Sequence, residues 1–528
     1  MIKTWNKAAA VNLAKPLNLQ LIIILLSCLC VAAAQGGGFL RASHYTQVLI
    51  LACIFLAYLG LLFYMKVTKR LIREDSAVTM VIFLGVLLRC GYVLLSGLYD
   101  RQHDAGVYTG IATDFVNPGH IGYIEYIYKF HKLPDLNPYE LFAYYHPPLH
   151  HLLSFLWLRL NIILGVAEDM AFENLQVLTL FYSCLCMVVT HRILKILDIR
   201  GNGLLIGLSF VVFHPATIVM AGSVNNDMLT ILFMCLTLYL SLRWIRAKNL
   251  KNLILLALSI GFGMITKLNS AVLAIPLALV FLMHFVTVIK TREKSAILRW
   301  VKNYALFGAV VCPIGLSWII RNLILFGEKP GVPVPGETSP MYTALYSLWS
   351  RLGIPGLADW RIPFPFHPIS AKACNNTWVI MLHTSLFAEE YPTDLPDALL
   401  VLCQITFVLA ILLSVATAIL LVVVLLNRKT RLEDRVFLLI GYVVMLVSFA
   451  AFVVVYPYTC SSDFRYVAIC LVYIAIALGL GNQYFLSDSR IVQGFWAKKA
   501  PAVMHLINWG ILTVLLFIQV IYVFWERW

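Results

Sequence analysis

The chain has 528 residues, 61% of them hydrophobic and only 12% charged, with a mean hydropathy of +0.84. A soluble domain carries roughly 25% charged residues, so a water-exposed globule is excluded. The net charge of +14 would point to nucleic acid in a soluble protein; in so hydrophobic a chain it reads instead as membrane topology.

Apolar runs of the length that crosses ~30 Å of hydrocarbon as a helix punctuate the chain. Lipid offers no partner for backbone amides, so each run must be helical. The reading is an all-α polytopic membrane protein of about thirteen transmembrane helices, with amphipathic juxtamembrane helices in its first long outer loop. The spans fall near 17–34, 46–65, 77–98, 172–193, 201–222, 227–243, 250–266, 270–289, 301–320, 398–426, 434–456, 464–482 and 503–525. The first run follows a basic stretch and ends Ala-Ala-Ala-Gln, a pattern shared with signal peptides. A retained span is preferred, because the charge topology closes only if it is kept.

With the N-terminus inside, segments 1–16, 66–76, 191–200, 243–251, 290–302, 427–435 and 484–500 face the cytoplasm. They hold 26 of the 40 Lys and Arg but 7 of the 26 Asp and Glu. This is the positive-inside pattern. It also decides an ambiguous stretch. The segment His146–Gly165 is apolar enough to span, but if it did, every later loop would invert. It is therefore expected to be a helix in the outer interface. The C-terminus then lies outside, after Trp525.

Four divisions follow: two N-terminal spans (1–76), a core (77–325) with a first outer loop (99–171), a Pro-rich outer loop (326–397) and C-terminal spans (398–528). The first loop holds an expected helix from Ala105, a Pro118-Gly119 turn and an aromatic amphipathic stretch, Ile121–Phe130, of the kind that lies in interfaces. Ten of the 21 prolines lie between Pro330 and Pro396. Long loops of this kind are usually functional. The twelve cysteines lie mostly in spans as small apolar packing residues; Cys374 and Cys460, on outer loops, would pair only in an oxidising compartment.

Four constellations carry candidate chemistry. Asp100, Arg101, His103, Asp104 and Tyr108 follow the third span. Asp104 has two readings, a general base beside a histidine or a helix cap. In Tyr144–His151, Pro147 and Pro148 fit a helix start. His146 and His150 would then stand i,i+4, a spacing open to metal, although packing is the preferred reading. Asp227, in the outer turn Ser223–Asp227, is either a helix cap or a site carboxylate. The cations are Lys267, between spans; Arg321, ending the ninth; Arg465, beside Asp463 at the start of the twelfth; and Arg89, within the third. An intramembrane arginine is costly and a functional candidate, while the outer three have headgroup snorkelling as the alternative. Cations suit a departing phosphate, and a carboxylate suits an acceptor's proton.

The order of these motifs resembles the GT-C superfamily of membrane glycosyltransferases, especially the branch of protein O-mannosyltransferases and lipid A aminoarabinose transferases. The matching features are His103-Asp104 with Tyr108, His146-Pro147-Pro148-Leu149, the Asn226-Asp227 turn and Gly263-Met264-Ile265-Thr266-Lys267, over roughly residues 77–325. Arg321-Asn322 and Asp463–Tyr466 look like features of related bacterial members. The resemblance implies a polyprenyl-phosphate sugar donor, a glycan, lipid or protein acceptor on the non-cytoplasmic side, and inverting transfer.

Carried over by position, Asp104 would be the base or acceptor-binding carboxylate, and Asp227 would position the reacting groups. Lys267, Arg321 and Arg465 would hold the donor phosphate, with His103, Tyr108, His146, His150, Asp463 and Arg89 as further substrate contacts. No cofactor is expected beyond an optional divalent metal. Two departures are plain: His103 replaces one of the family's acidic pair, and two extra spans precede the motif-bearing one. A bacterial plasma membrane is the expected location, with membrane lipids and no nucleic acid as partners. The alternative is a transporter or flippase of a lipid-linked or anionic solute, which should show repeat symmetry and midplane charges. A partner-binding scaffold is the third reading.

Overall fold

The structure is a computed structural model that describes residues 5–39, 43–70, 73–99, 117–331, 336–356, 370–389, 396–426, 430–486 and 495–518. Among these residues every regular element is helical, and one isolated antiparallel bridge joins Tyr342 to Tyr458. The helices are α1 (Trp5–Gly36), α2 (His44–Val67), α3 (Glu74–Leu95), α4 (Gly119–Phe130), α5 (Leu149–Ile163), α6 (Glu168–Glu173), α7 (Gln176–Ile196), α8 (Gly201–Val212), α9 (Pro215–Gly222) and α10 (Asp227–Arg246). They continue as α11 (Leu250–Met264), α12 (Ala274–Lys290), α13 (Lys294–Phe326), α14 (Leu348–Leu352), α15 (Thr377–Phe387), α16 (Asp397–Leu426), α17 (Leu432–Val455), α18 (Cys470–Leu486) and α19 (Phe495–Ile518).

Ten of the described helices are long and apolar enough to cross a membrane, or twelve if two bent pairs count as one span each. The expected count of about thirteen is not reached among the described residues, and the difference lies in three places. Span 201–222 is α8 and α9, bent by 44° at Phe213-His214. Pro215 drives its predecessor out of the helical region, and His214 is extended at ψ 126°. Span 464–482 begins as 3-10 turns and bends by 47° into α18. Span 250–266 is α11, whose 15 residues reach ~22 Å and stop at the turn Ile265-Thr266-Lys267.

The first outer loop is organised by α4 to α6. Helix α4 is covered by protein along most of its length: its residues Gly119 to Ile127 are all buried. It is anchored by Tyr144, whose hydroxyl donates to the carbonyls of Asn117 (2.8 Å) and Gly122 (3.0 Å). Helix α5, too short to span alone, is inside-out. Its buried face carries His150, His151, Ser154 and Asn161, while Leu156, Leu160 and Ile163 are exposed. Polar groups turned inward with an apolar exterior suit a lipid environment.

The body packs closely where side chains are small. On α8, Gly203 and Gly207 lie against the backbone of α18: added Cβ atoms would fall 2.5 Å from the carbonyl oxygens of Gly479 and Ala475 respectively. This is the small-xxx-small device of membrane helix pairs. Helix α2 is peripheral, tied to α3 through Tyr58, whose hydroxyl donates to the Met80 carbonyl at 3.1 Å. None of the cysteines is in a disulfide, so Cys374, which is buried, and Cys460, which is exposed, are not joined.

Candidate active site

The short turn between α9 and α10 places Asp227 in the first turn of α10, where a carboxylate complements the helix dipole. Its backbone N–H is held by Asn225 Oδ1 at 3.0 Å. Asn226 reaches across to donate to the Thr266 carbonyl at 3.0 Å, binding this turn to the one that ends α11. Lys267 N–H donates back to the Gly263 carbonyl at 2.9 Å. An added Cβ at Gly263 would stand 2.9 Å from Ser270 Oγ, so the Ser270 side chain would have to shift to admit one. The two turns thereby bring Lys267 Nζ onto Asp227 Oδ1 as a buried ion pair. The start of α5 joins them, with Leu149 N–H donating to the Ile265 carbonyl at 3.2 Å.

Arg465 arrives from the segment between α17 and α18. Asp463 caps its 3-10 turn, accepting from Arg465 N–H at 2.8 Å, and the guanidinium Nε lies 3.9 Å from the same carboxylate. Arg465 Nη1 lies 3.6 Å from Asp227 Oδ2 and Nη2 lies 3.6 Å from Glu389 Oε1. Tyr466 underlies both cations: Lys267 Nζ is 4.8 Å and Arg465 Cζ 5.5 Å from its ring centre. An electron-rich ring face favours cations at such distances. Asp227, Lys267, Asp463 and Arg465, read separately in the sequence, thus form one cluster with Glu389 and Tyr466.

A ladder of rings borders it. Tyr144, Tyr123, His151, His120 and His146 stack in that order, with centroid separations of 4.9, 4.0, 5.3 and 5.1 Å. His120 Nδ1 and His151 Nε2 are 3.0 Å apart. Burial, reinforced by the nearby charges of Lys267 and Arg465, pushes the His146 imidazole well below its usual range. His146 precedes α5 rather than standing on it, so the expected i,i+4 helical pair with His150 does not form. His150 lies inside the helix bundle instead, its Nε2 3.5 Å from Ser154 Oγ. Among the described residues no group of three His, Cys, Asp or Glu is arranged to hold a metal ion.

Two expected members have partners of their own outside the cluster. Arg321 donates to Asn322 Oδ1 at 2.9 Å and to the Pro134 carbonyl, and rests 4.6 Å from the Trp318 ring centre. It serves to seat the first loop on α13. Arg89 is wholly buried and donates to Ser183 Oγ (2.8 Å), to the Gly85 (3.0 Å) and Val212 (2.9 Å) carbonyls and to Thr217 Oγ1 (2.8 Å). Val212 and Thr217 flank the α8–α9 break, so Arg89 supplies donors where the helix ladder is interrupted. Asp100, Arg101, His103, Asp104 and Tyr108 lie outside the described residues. His120 and Glu389 were not singled out in the sequence, where nothing in their local pattern separates them from packing or surface residues, and Tyr466 entered only as the end of the Asp463–Tyr466 element.

Comparison with known proteins bears on this cluster. Residues 146–318 match the family model of dolichyl-phosphate-mannose-protein mannosyltransferases. No curated protein is significantly similar to the chain. Among solved structures, the Archaeoglobus fulgidus oligosaccharyltransferase tethered to an acceptor peptide containing the NVT sequon aligns with a TM-score of 0.43 and 12% identity, covering 85% of this chain and 55% of its own. Its apo form gives 0.45 and 12%, over 84% and 55%. ArnT from Cupriavidus metallidurans bound to undecaprenyl phosphate gives 0.42 and 13%, over 86% and 73%. This chain thus spans just over half the length of the oligosaccharyltransferase. These likenesses are distant; what the comparisons show is that residues 146–318, the segment that holds Asp227 and Lys267, are similar to the dolichyl-phosphate-mannose-protein mannosyltransferases.

Proposed function

We propose that this protein transfers a sugar from a polyprenyl-phosphate-linked donor to an acceptor at the non-cytoplasmic face of the membrane. The observation that carries the reading is the buried meeting of Asp227, Lys267 and Arg465, contributed by three separate turns at one end of the bundle. Two cations on a shared aromatic base suit a phosphate that gains charge as the glycosidic bond breaks.

The acceptor O–H attacks the anomeric carbon and the carbon–oxygen bond to phosphate breaks. The bonding pair leaves with the polyprenyl phosphate, and the acceptor proton passes to Asp104. A single displacement inverts the anomeric centre through an oxocarbenium-like state. Lys267 and Arg465 take up the phosphate charge. Asp227 orients Lys267, and its removal would misplace that ammonium. His146, neutral beside them, completes the wall facing the sugar.

The test is transfer from a panel of radiolabelled polyprenyl-phosphate sugars by purified protein, with Asp104→Asn and Lys267→Ala alongside. One donor in the panel is expected to be used. Asp104→Asn should then lower kcat by roughly 10²–10⁴-fold, the usual worth of a positioned base. Turnover by Asp104→Asn equal to that of the unaltered protein refutes the base. Turnover by Lys267→Ala equal to it refutes the phosphate site.

A further inference from the structure

Three carboxylates and two cations share the cluster among the described residues: Asp227, Asp463 and Glu389 against Lys267 and Arg465. An anionic group cannot enter such a site favourably while every carboxylate stays. Two of the three are fixed. Asp227 sits in the first turn of α10 and holds Lys267, with its side chain 4% exposed. Asp463 caps the turn that carries Arg465 and is 3% exposed.

Glu389 differs in each respect. It is 30% exposed and pairs with Arg465 at 3.6 Å. Ala388, the residue before it, adopts φ 58°, ψ −155°. That region is essentially confined to glycine and persists only where the surroundings enforce it. The enforcement is visible on both sides. Helix α15 is pinned to the arginine segment through Thr384 Oγ1, which accepts from Phe464 N–H at 2.9 Å. Ser462 Oγ donates to Thr377 Oγ1 at 3.4 Å. Moving Glu389 away would free Arg465 Nη2 from this carboxylate.

We infer that Glu389 is an internal stand-in for the donor's phosphate, occupying Arg465 when the site is empty and displaced when a phosphate-bearing lipid binds. The inference rests on the proposed phosphate site at Lys267 and Arg465. Glu389 is a gating residue and touches no reacting atom. A state that must first be vacated lowers apparent affinity by the fraction of time it is vacant.

Binding of farnesyl phosphate, farnesol and inorganic phosphate to the purified full chain tests this, with Glu389→Gln, Glu389→Asp and Arg465→Gln. Gln keeps the shape and removes the charge. Glu389→Gln is expected to bind farnesyl phosphate roughly tenfold more tightly, with farnesol unchanged. Glu389→Asp, shorter but charged, should fall between. In transfer assays the donor KM should drop in Glu389→Gln by about the factor that binding gains. Its unfolding midpoint checks that the fold is intact.

Arg465→Gln should lose the phosphate-dependent part of binding. If inorganic phosphate alone reproduces the Glu389→Gln gain, the displacing group is the phosphate itself; a gain confined to farnesyl phosphate assigns it to the lipid-linked form. Unchanged or weaker binding in Glu389→Gln, with Arg465→Gln still defective, overturns the stand-in role and leaves the phosphate site. Farnesyl phosphate binding that is indifferent to Arg465→Gln overturns the phosphate site itself. A collapse of kcat in Glu389→Gln without tighter binding overturns the gate in favour of a direct part in the reaction.

Discussion

His146 joins packing to electrostatics in one side chain. It is stacked on His120 and faces the charges of Lys267 and Arg465, and burial with those charges holds its imidazole neutral. Its pKa in the folded protein lies below the unfolded value of about 6.5. The unfolded chain therefore binds the extra proton first as pH falls, and protonation drains population from the folded state. The stability supplied by neutral His146 is complete above about pH 6.5 and is lost progressively below it. The unfolding midpoint of the protein in detergent should fall between about pH 7 and pH 5, and His146→Asn, which cannot take the proton, should flatten that slope. An equal slope in the variant would assign the pH dependence to other groups. Asp227, Lys267 and Arg465 were legible in the sequence because each is a charged residue in a short turn between apolar runs, where burial beside lipid demands a partner. Glu389 and Tyr466 were not, since their roles depend on a turn at Ala388 and on contacts between segments far apart in the chain. Arg321 shared the sequence features of the cluster cations; its contacts with Trp318 and the Pro134 carbonyl were not legible there.

At the level of elements, hydropathy located the helices but not their bends. The α8–α9 break depends on Pro215 and on Arg89 arriving from α3 to bond the Val212 carbonyl and Thr217. Neither partner is near Arg89 in sequence. The break is held on its other face by the close contact of α8 with α18. Gly207→Leu should disrupt that contact, because its Cβ would stand 2.5 Å from a backbone oxygen that cannot move without shifting α18. A destabilisation of about 1–3 kcal/mol or more is expected for such overpacking, read as a lower unfolding midpoint and reduced yield. Gly60→Leu is the control: it lies in an equally apolar helix, α2, with nothing within 4 Å of its added Cβ, and should leave stability near its original value. Equal effects of the two would mean that leucine volume, and not the α8–α18 contact, sets the cost.

Across the whole molecule, α10 relates the cluster to the opposite end of the bundle. It starts at Asp227 and ends at Arg246, 20 residues or ~30 Å later, about one hydrocarbon thickness. Around Arg246 the pairs are of another kind: Arg246 with Asp434 at 2.6 Å, Lys248 with Glu433 at 2.8 Å and Lys195 with Glu74 at 2.7 Å. All six residues lie in segments that the charge bias assigns to the cytoplasm, so the acidic residues of that side serve to pair basic ones. From the bias of Lys and Arg we propose that the Asp227 end faces away from the cytoplasm, and a membrane-impermeant maleimide can test it. Cys460, exposed at the cluster end, should be alkylated in intact cells. Lys251→Cys, at the exposed start of α11 beyond Arg246, should react only after the membrane is opened. Peptide mass spectrometry reads each position separately, so the buried cysteines need no replacement. Labelling at position 251 but not 460 in intact cells would invert the molecule, place the cluster on the cytoplasmic side, and leave the positive-inside bias without a cause.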